Sequence, residues 1–231
     1  MLRVAVARVP EPTAGGELAL PGWFGESERR RWTQLAPRAR PAFVASRALL
    51  RELLQAATGV PAHAWDVSAT AGSAPVARGA VAAGAIHVSL SHRLDWVAAA
   101  VADAPVGVDV ECERPPRSDA AERAALMLSP AEVPAWQALP ATEREAALLA
   151  RWTAKEAWFK ASPPGTAPWD FRHVAARACT PADANVRTWA APPLHLALCC
   201  ADARALAEAG CDGLQDAASS SWHVHRVVAA S

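Results

Sequence analysis

Apolar and polar residues alternate with a period of two through LRVAVARV (2–9), the pattern of a half-buried strand, and the alternation breaks off at Pro10 and Pro12. A basic stretch, ESERRRWTQLAPRAR, reads as a short helix ended by Pro37. The period then becomes helical. In FVASRALLRELLQAATG the residues Phe43, Leu49, Leu50, Leu53 and Leu54 fall on one side of a helix that Gly59 stops. Turn formers dominate from Pro61 to Gly84 and leave room only for short strands. AIHVSLSH (85–92) and WVAAAVAD (96–103) return to strand character around a polar turn at Arg93 and Asp95, and VGVDVE adds a third strand beyond Pro105. A helical region follows from Asp119 to Ala161, with Ser129, Pro130 and Glu132 spaced as N-cap, N1 and N3. Beyond ASPPGTAPWD, the runs VRTWAA, LHLALCCAD and SWHVHRVV predict further strands.

Strands with a long helix thus occur twice, which predicts a mixed α/β (α+β) chain of two α/β parts, residues 1–104 and 105–231. No repeat is visible in the letters themselves. The 231 residues, 52% of them hydrophobic, suffice for one large core or two small ones. Lys plus Arg and Asp plus Glu each total 23, so no global field draws nucleic acid or an anionic membrane to the protein. With no run long enough to span a bilayer and no secretory pattern, the expected location is cytoplasmic. Five cysteines without a CxxC pair or zinc spacing read as reduced apolar fillers.

Charge matters locally. In Val106–Glu111 the period of two sets the valines on one face and Gly107, Asp109 and Glu111 on the other, with the two carboxylates about 7 Å apart. Such a pair suits a hard divalent cation, and equally an exposed strand face. In RWTAKEAWFK, Trp152, Glu156 and Lys160 share a helix face, as a cleft pair or as an ordinary surface pair. The only two lysines of the chain, Lys155 and Lys160, both lie in this stretch among 21 arginines. Ser89, Ser91 and His92 close a strand at a turn, where a side chain can meet a ligand or simply satisfy the turn. Arg29, Arg30 and Arg31 could hold phosphate or line a solvated helix.

Read in order, AFVASRALLRELL, VSLSH, VGVDVE, LSPAE, RWTAKEAWFKA and LHLALCCAD resemble the successive motifs of the 4′-phosphopantetheinyl transferases of the larger, surfactin-synthetase-activating type. The most specific pieces are GVDVE and WxxKExxxK, about forty residues apart as in that family. The resemblance implies two similar α/β halves forming a pseudo-dimer, with coenzyme A in the cleft between them. It implies Mg²⁺ held by Asp109, Glu111 and Glu156 together with the coenzyme A pyrophosphate. It gives Glu156 the role of candidate base, Lys160 that of stabilising the pyrophosphate, Lys155 that of a phosphate anchor, Ser91 and His92 nucleotide contacts, and Arg30 or Arg31 the 3′-phosphate.

The implied partner is an apo acyl or peptidyl carrier protein, docked in part on residues 112–136, and the implied state is a monomer without nucleic-acid or membrane partners. Three departures from the family pattern stand out, one of them the tail after Gly210, which has no counterpart in it. Ala74 replaces a basic residue in Gly72-Ser73-Ala74-Pro75, leaving that contact to Arg78 or to nothing, and the glycine-rich stretch after the lysine helix shrinks to Ser162-Pro163-Pro164-Gly165. Two other readings compete: a non-catalytic relative that binds coenzyme A or a carrier, and a Mg²⁺-dependent nucleotide hydrolase.

Overall fold

A computed structural model describes residues 1–11, 18–79, 86–113, 119–211, 213 and 221–229. The first strand, β1 (Leu2–Arg8), is followed by α1 (Glu26–Gln34), which stops ahead of Pro37 as the sequence predicts. Next comes α2 (Arg40–Thr58), whose Leu50, Leu53 and Leu54 are buried and whose end is a left-handed Gly59 with φ 75°. The turn-rich segment holds a two-residue ribbon, β2 (Asp66–Val67) with β3 (Ala77–Arg78). β4 (His87–Arg93) and β5 (Trp96–Ala102) then form a hairpin, and the first sheet has the antiparallel order β1-β5-β4.

β6 (Val106–Cys112) opens the second sheet, and after it the predicted helical region divides into three: α3 (Ala120–Met127), α4 (Val133–Gln137) and α5 (Ala141–Ala161). The predicted N-cap at Ser129 is replaced by a turn. Glu132 does accept the Ser129 amide at 2.7 Å, as a capping glutamate would, but the helix starts only at Val133. β7 (Val174–Ala178), β8 (Val186–Ala191), β9 (Leu194–Cys200), α6 (Ala203–Glu208) and β10 (Ser221–Ala229) complete the chain, and the second sheet has the order β6-β9-β8-β10-β7. β7 is a strand the sequence does not announce.

α2 covers the first sheet, its leucines meeting Ala5, Val88, Ala99 and Val101. α5 covers the second, with Ala154 and Ala157 against Val174, Val186, Ala197 and Cys199. Between the sheets lies a core of Val4, Val6, Ala98 and Ala100 from one side and Val106, Val108, Val110, Leu196 and Leu198 from the other. Four of the five cysteines are buried, and burial pushes the Cys199 thiol up to about 12. No helix among the described residues is long and apolar enough to cross a membrane.

Two contacts of β6 bring polar side chains together at the seam between the sheets. Edge strands β4 and β6 meet without a backbone ladder; instead Ser89 and Ser91 hydroxyls accept the Val108 and Val110 amides at 3.0 and 3.3 Å. On the other face of β6, α5 presses backbone to backbone at Gly107, where an added Cβ would stand 1.9 Å from the Ala157 carbonyl oxygen. Only glycine permits that approach.

Candidate functional site

The approach at Gly107 carries Glu156 and Lys160 of α5 to Asp109, two residues further along β6. Lys160 Nζ donates to Asp109 Oδ1 at 2.6 Å and to the Val108 carbonyl at 3.2 Å. Ser91 Oγ, arriving across the seam, donates to the same Oδ1 at 2.8 Å. Asp109 is buried, and its Oδ2 has no hydrogen-bond partner. Glu111 meets Arg93 at the end of β4, Nε to Oε2 2.8 Å. Burial pushes the Glu156 carboxyl up to about 7; Asp109 and, more weakly, Glu111 push the same way against Lys160. A carboxyl in that position calls for a further cation.

The residues therefore suit Mg²⁺ by chemistry: three hard oxygen donors, one of them with a buried orphan oxygen. They do not stand as a finished cage, since among the described residues no three acidic, histidine or cysteine side chains are grouped as metal ligands. Lys160 and Arg93 neutralise Asp109 and Glu111 instead.

His92 opens to solvent at the mouth of this cleft. Its pKa is lowered, first by burial and then by Lys160, Arg47 and Arg93, against a weaker pull from Asp109. Arg47 is a residue that sequence reasoning missed. Its side chain is 11% exposed, stacks on Phe43 at 4.9 Å and keeps a buried Nε without a hydrogen bond. Its helix is held by Arg51, whose two Nη atoms bind both oxygens of buried Glu28 at 2.8 and 2.6 Å. The RxxxR spacing inside the apolar helix was the only available signal.

Lys155, expected at a phosphate, lies away from the Asp109 cluster. It is fully buried, and its three donors go to Glu132 Oε2 at 2.6 Å, the Met127 carbonyl at 2.8 Å and the Phe171 carbonyl at 3.3 Å. Nothing remains for a phosphate, because one step along the helix turns the side chain about 100° away from Glu156. Ser91, expected at the nucleotide, donates to Asp109 and accepts the Val110 amide. Arg30 is 71% exposed and pairs with Glu26 at 3.5 Å, while Arg31 is half-buried. No hydrogen bond or ion pair among the described residues ties either to the Asp109 cluster.

Beside Lys160 opens a cavity of about 370 Å³, lined by Gly72–Pro75, Val88–Leu90, Phe159 and the Ser162–Trp169 loop. Trp169 stands 83% exposed at its edge, 5.0 Å from the Phe159 ring. Arg78 is on the β2–β3 ribbon and not among the lining residues.

The cleft at the sheet seam thus combines three carboxylates, a lysine and nearby arginines. Residues 105–208, which carry Asp109, Glu111, Glu156 and Lys160, match the family model of the 4′-phosphopantetheinyl transferase superfamily. The chain is also 42% identical over 74 residues to the 4′-phosphopantetheinyl transferase psf-1 of Bacillus pumilus. The aligned stretch is 32% of this chain and spans 30% of the length of that relative. The family resemblance read from the ordered motifs is borne out over this segment.

Proposed function

We propose that the protein is a 4′-phosphopantetheinyl transferase, moving the phosphopantetheine group of coenzyme A onto a serine hydroxyl of an apo carrier protein and releasing 3′,5′-ADP. The observation that carries this reading is the convergence of Asp109, Glu111, Glu156 and Lys160 from β6 and α5 beside a cavity of about 370 Å³. Asp109, Glu111 and Glu156 would hold Mg²⁺, which supplies Lewis-acid neutralisation of the pyrophosphate charge. Such catalysis is mainly positioning plus charge stabilisation.

The serine oxygen bonds to the β-phosphorus as the bridging P–O bond breaks. Glu156 is the nearest carboxylate to take the serine proton. Lys160 leaves Asp109 for the pyrophosphate and stabilises the departing 3′,5′-ADP. His92 and Arg47 receive the nucleotide's phosphates, and Arg30 and Arg31 add positive charge at the same end. Ser91 fixes the Asp109 carboxylate.

The strand orders β1-β5-β4 and β6-β9-β8 support reading residues 1–104 and 105–231 as two similar halves with the site between them. In each trio the first strand pairs with the last, and a long helix lies between the first strand and the other two. For carrier docking within residues 112–136, α3 offers Leu126, 68% exposed, whereas Trp136 is core and Pro115 and Pro116 lie outside the described residues.

Mass spectrometry of apo carrier proteins incubated with coenzyme A and Mg²⁺ tests the reading. The expected result is the gain of one phosphopantetheine on the carrier. Cleavage of coenzyme A without any carrier would indicate the hydrolase, and no reaction across acyl and peptidyl carriers would leave only a binding relative.

A further inference from the structure

Glu111 meets Arg93, a residue of the β4–β5 hairpin that the reaction does not use. The guanidinium Nε lies 2.8 Å from Glu111 Oε2, with side chains 38% and 14% exposed. The pair borders a small cavity of about 90 Å³ whose walls also include Glu145 and Arg123. Glu145 already binds Arg123 of α3 through both its oxygens, at 2.8 and 2.9 Å. One pocket therefore contains two carboxylates and two guanidinium groups, and Arg93 shares its walls with a second carboxylate, Glu145.

We propose that Arg93 is a built-in counter-ion that competes with the divalent cation for Glu111, setting the metal affinity of the site, and that on metal entry it transfers to Glu145. The inference rests on the metal site proposed above. Its physical basis is that one carboxylate oxygen cannot serve both a guanidinium and a metal ion at full strength. A half-buried pair at this distance is costly to break unless a second carboxylate receives the released charge. Lys160 plays the corresponding part on Asp109, but its release is part of the transfer itself; Arg93 has no such task.

The test measures Mn²⁺ binding directly, by the loss of the free-ion paramagnetic resonance signal, on the whole chain without coenzyme A or carrier. Arg93→Gln is expected to tighten Mn²⁺ binding about 10-fold. It should also lower the melting temperature of the metal-free protein and widen the rise that saturating Mn²⁺ produces. Glu145→Gln is expected to weaken binding, and that effect should vanish in the Arg93→Gln background, because the landing carboxylate then has no cation to receive. A general field effect would instead persist in the double variant and overturn the transfer. Normal wild-type binding with an unchanged Arg93→Gln affinity would overturn the Arg93 proposal alone. Absence of Mn²⁺ binding by the wild type, unaltered by Asp109→Asn, would overturn the metal reading and this inference with it.

Discussion

Lys155 and Lys160 lie five positions apart on α5, the only lysines in a chain with 21 arginines, and their surroundings are opposite. Lys155 is wholly buried and its three N–H donors have three acceptors, one from the carboxylate of Glu132 and two from backbone carbonyls. A compact ammonium fits that pocket, where the planar five-donor fork of arginine would not. Lys160 is 27% exposed and faces one carboxylate that other groups also claim. A saturated amine builds structure; an under-committed one beside a cleft is available for chemistry. The two faces of one helix thus separate the framework of the second sheet from the candidate site.

The largest effect that tests this contrast is on stability. Lys155→Met strands the buried Glu132 carboxylate, which also holds the Ser129 amide and hydroxyl and the Ala176 amide, and should cost about 3–5 kcal/mol in urea unfolding. Replacing both partners, Lys155→Met with Glu132→Leu, should recover part of that loss. A Lys155→Met protein as stable as the wild type would erase the distinction between the two lysines.

Lys160→Ala should do the reverse. With one donor to a pyrophosphate removed, transfer is expected to fall about 10²–10³-fold, with a smaller stability loss than for Lys155→Met because Ser91 still donates to Asp109 and Lys160 is partly exposed. Glu111→Gln should behave similarly. Near-normal transfer by either variant, measured on an apo carrier, would mean the cleft is misassigned.

The junction between the two faces is Gly107. Gly107→Ala sets a methyl group against the Ala157 carbonyl and must push α5 from β6, at about 1–3 kcal/mol of stability. Because Glu156 and Lys160 move with that helix, transfer should drop further than the stability loss alone explains. Wild-type turnover in a destabilised Gly107→Ala protein would show that the helix position is not critical.

The same junction divides what is legible in the letters from what is not. Period two along β6 puts Asp109 with Glu111, and four-residue spacing puts Glu156 with Lys160, because each is a local property of one element. Their union is not local: it depends on α5 touching β6 at Gly107, a contact between residues fifty positions apart. The ordered motifs supply it only through the family resemblance. Lys155 misleads for the same reason, since its partner Glu132 lies on a turn that the sequence reads as a helix cap. Arg93 and Arg47 gain meaning only at the seam between the sheets. β7, VAARA, escapes because it is short, lacks alternation and gains its stability from pairing with β10.

The smallest effect concerns the framework side again and is one of pH. His225 of β10 accepts or donates a 3.1 Å hydrogen bond with Thr188, and its pKa is lowered to about 4, first by burial and then by His223 and Arg151, against a weaker pull from Glu132. The folded value lies below that of the unfolded chain, so between about pH 6.5 and 4 the unfolded state binds more protons. Stability is therefore complete above pH 6.5, declines as the pH falls through this window, and loses nothing more to this group below it. Because the ring is half-exposed, its share should be modest, roughly 1–2 kcal/mol after solvent screening. His225→Gln removes the titration while retaining a partner for Thr188, so urea unfolding of this variant should be flatter than the wild type from pH 6.5 to 4. Parallel curves would mean that protons reach His225 freely, and that the framework face of the second sheet is no more closed to charge than the cleft.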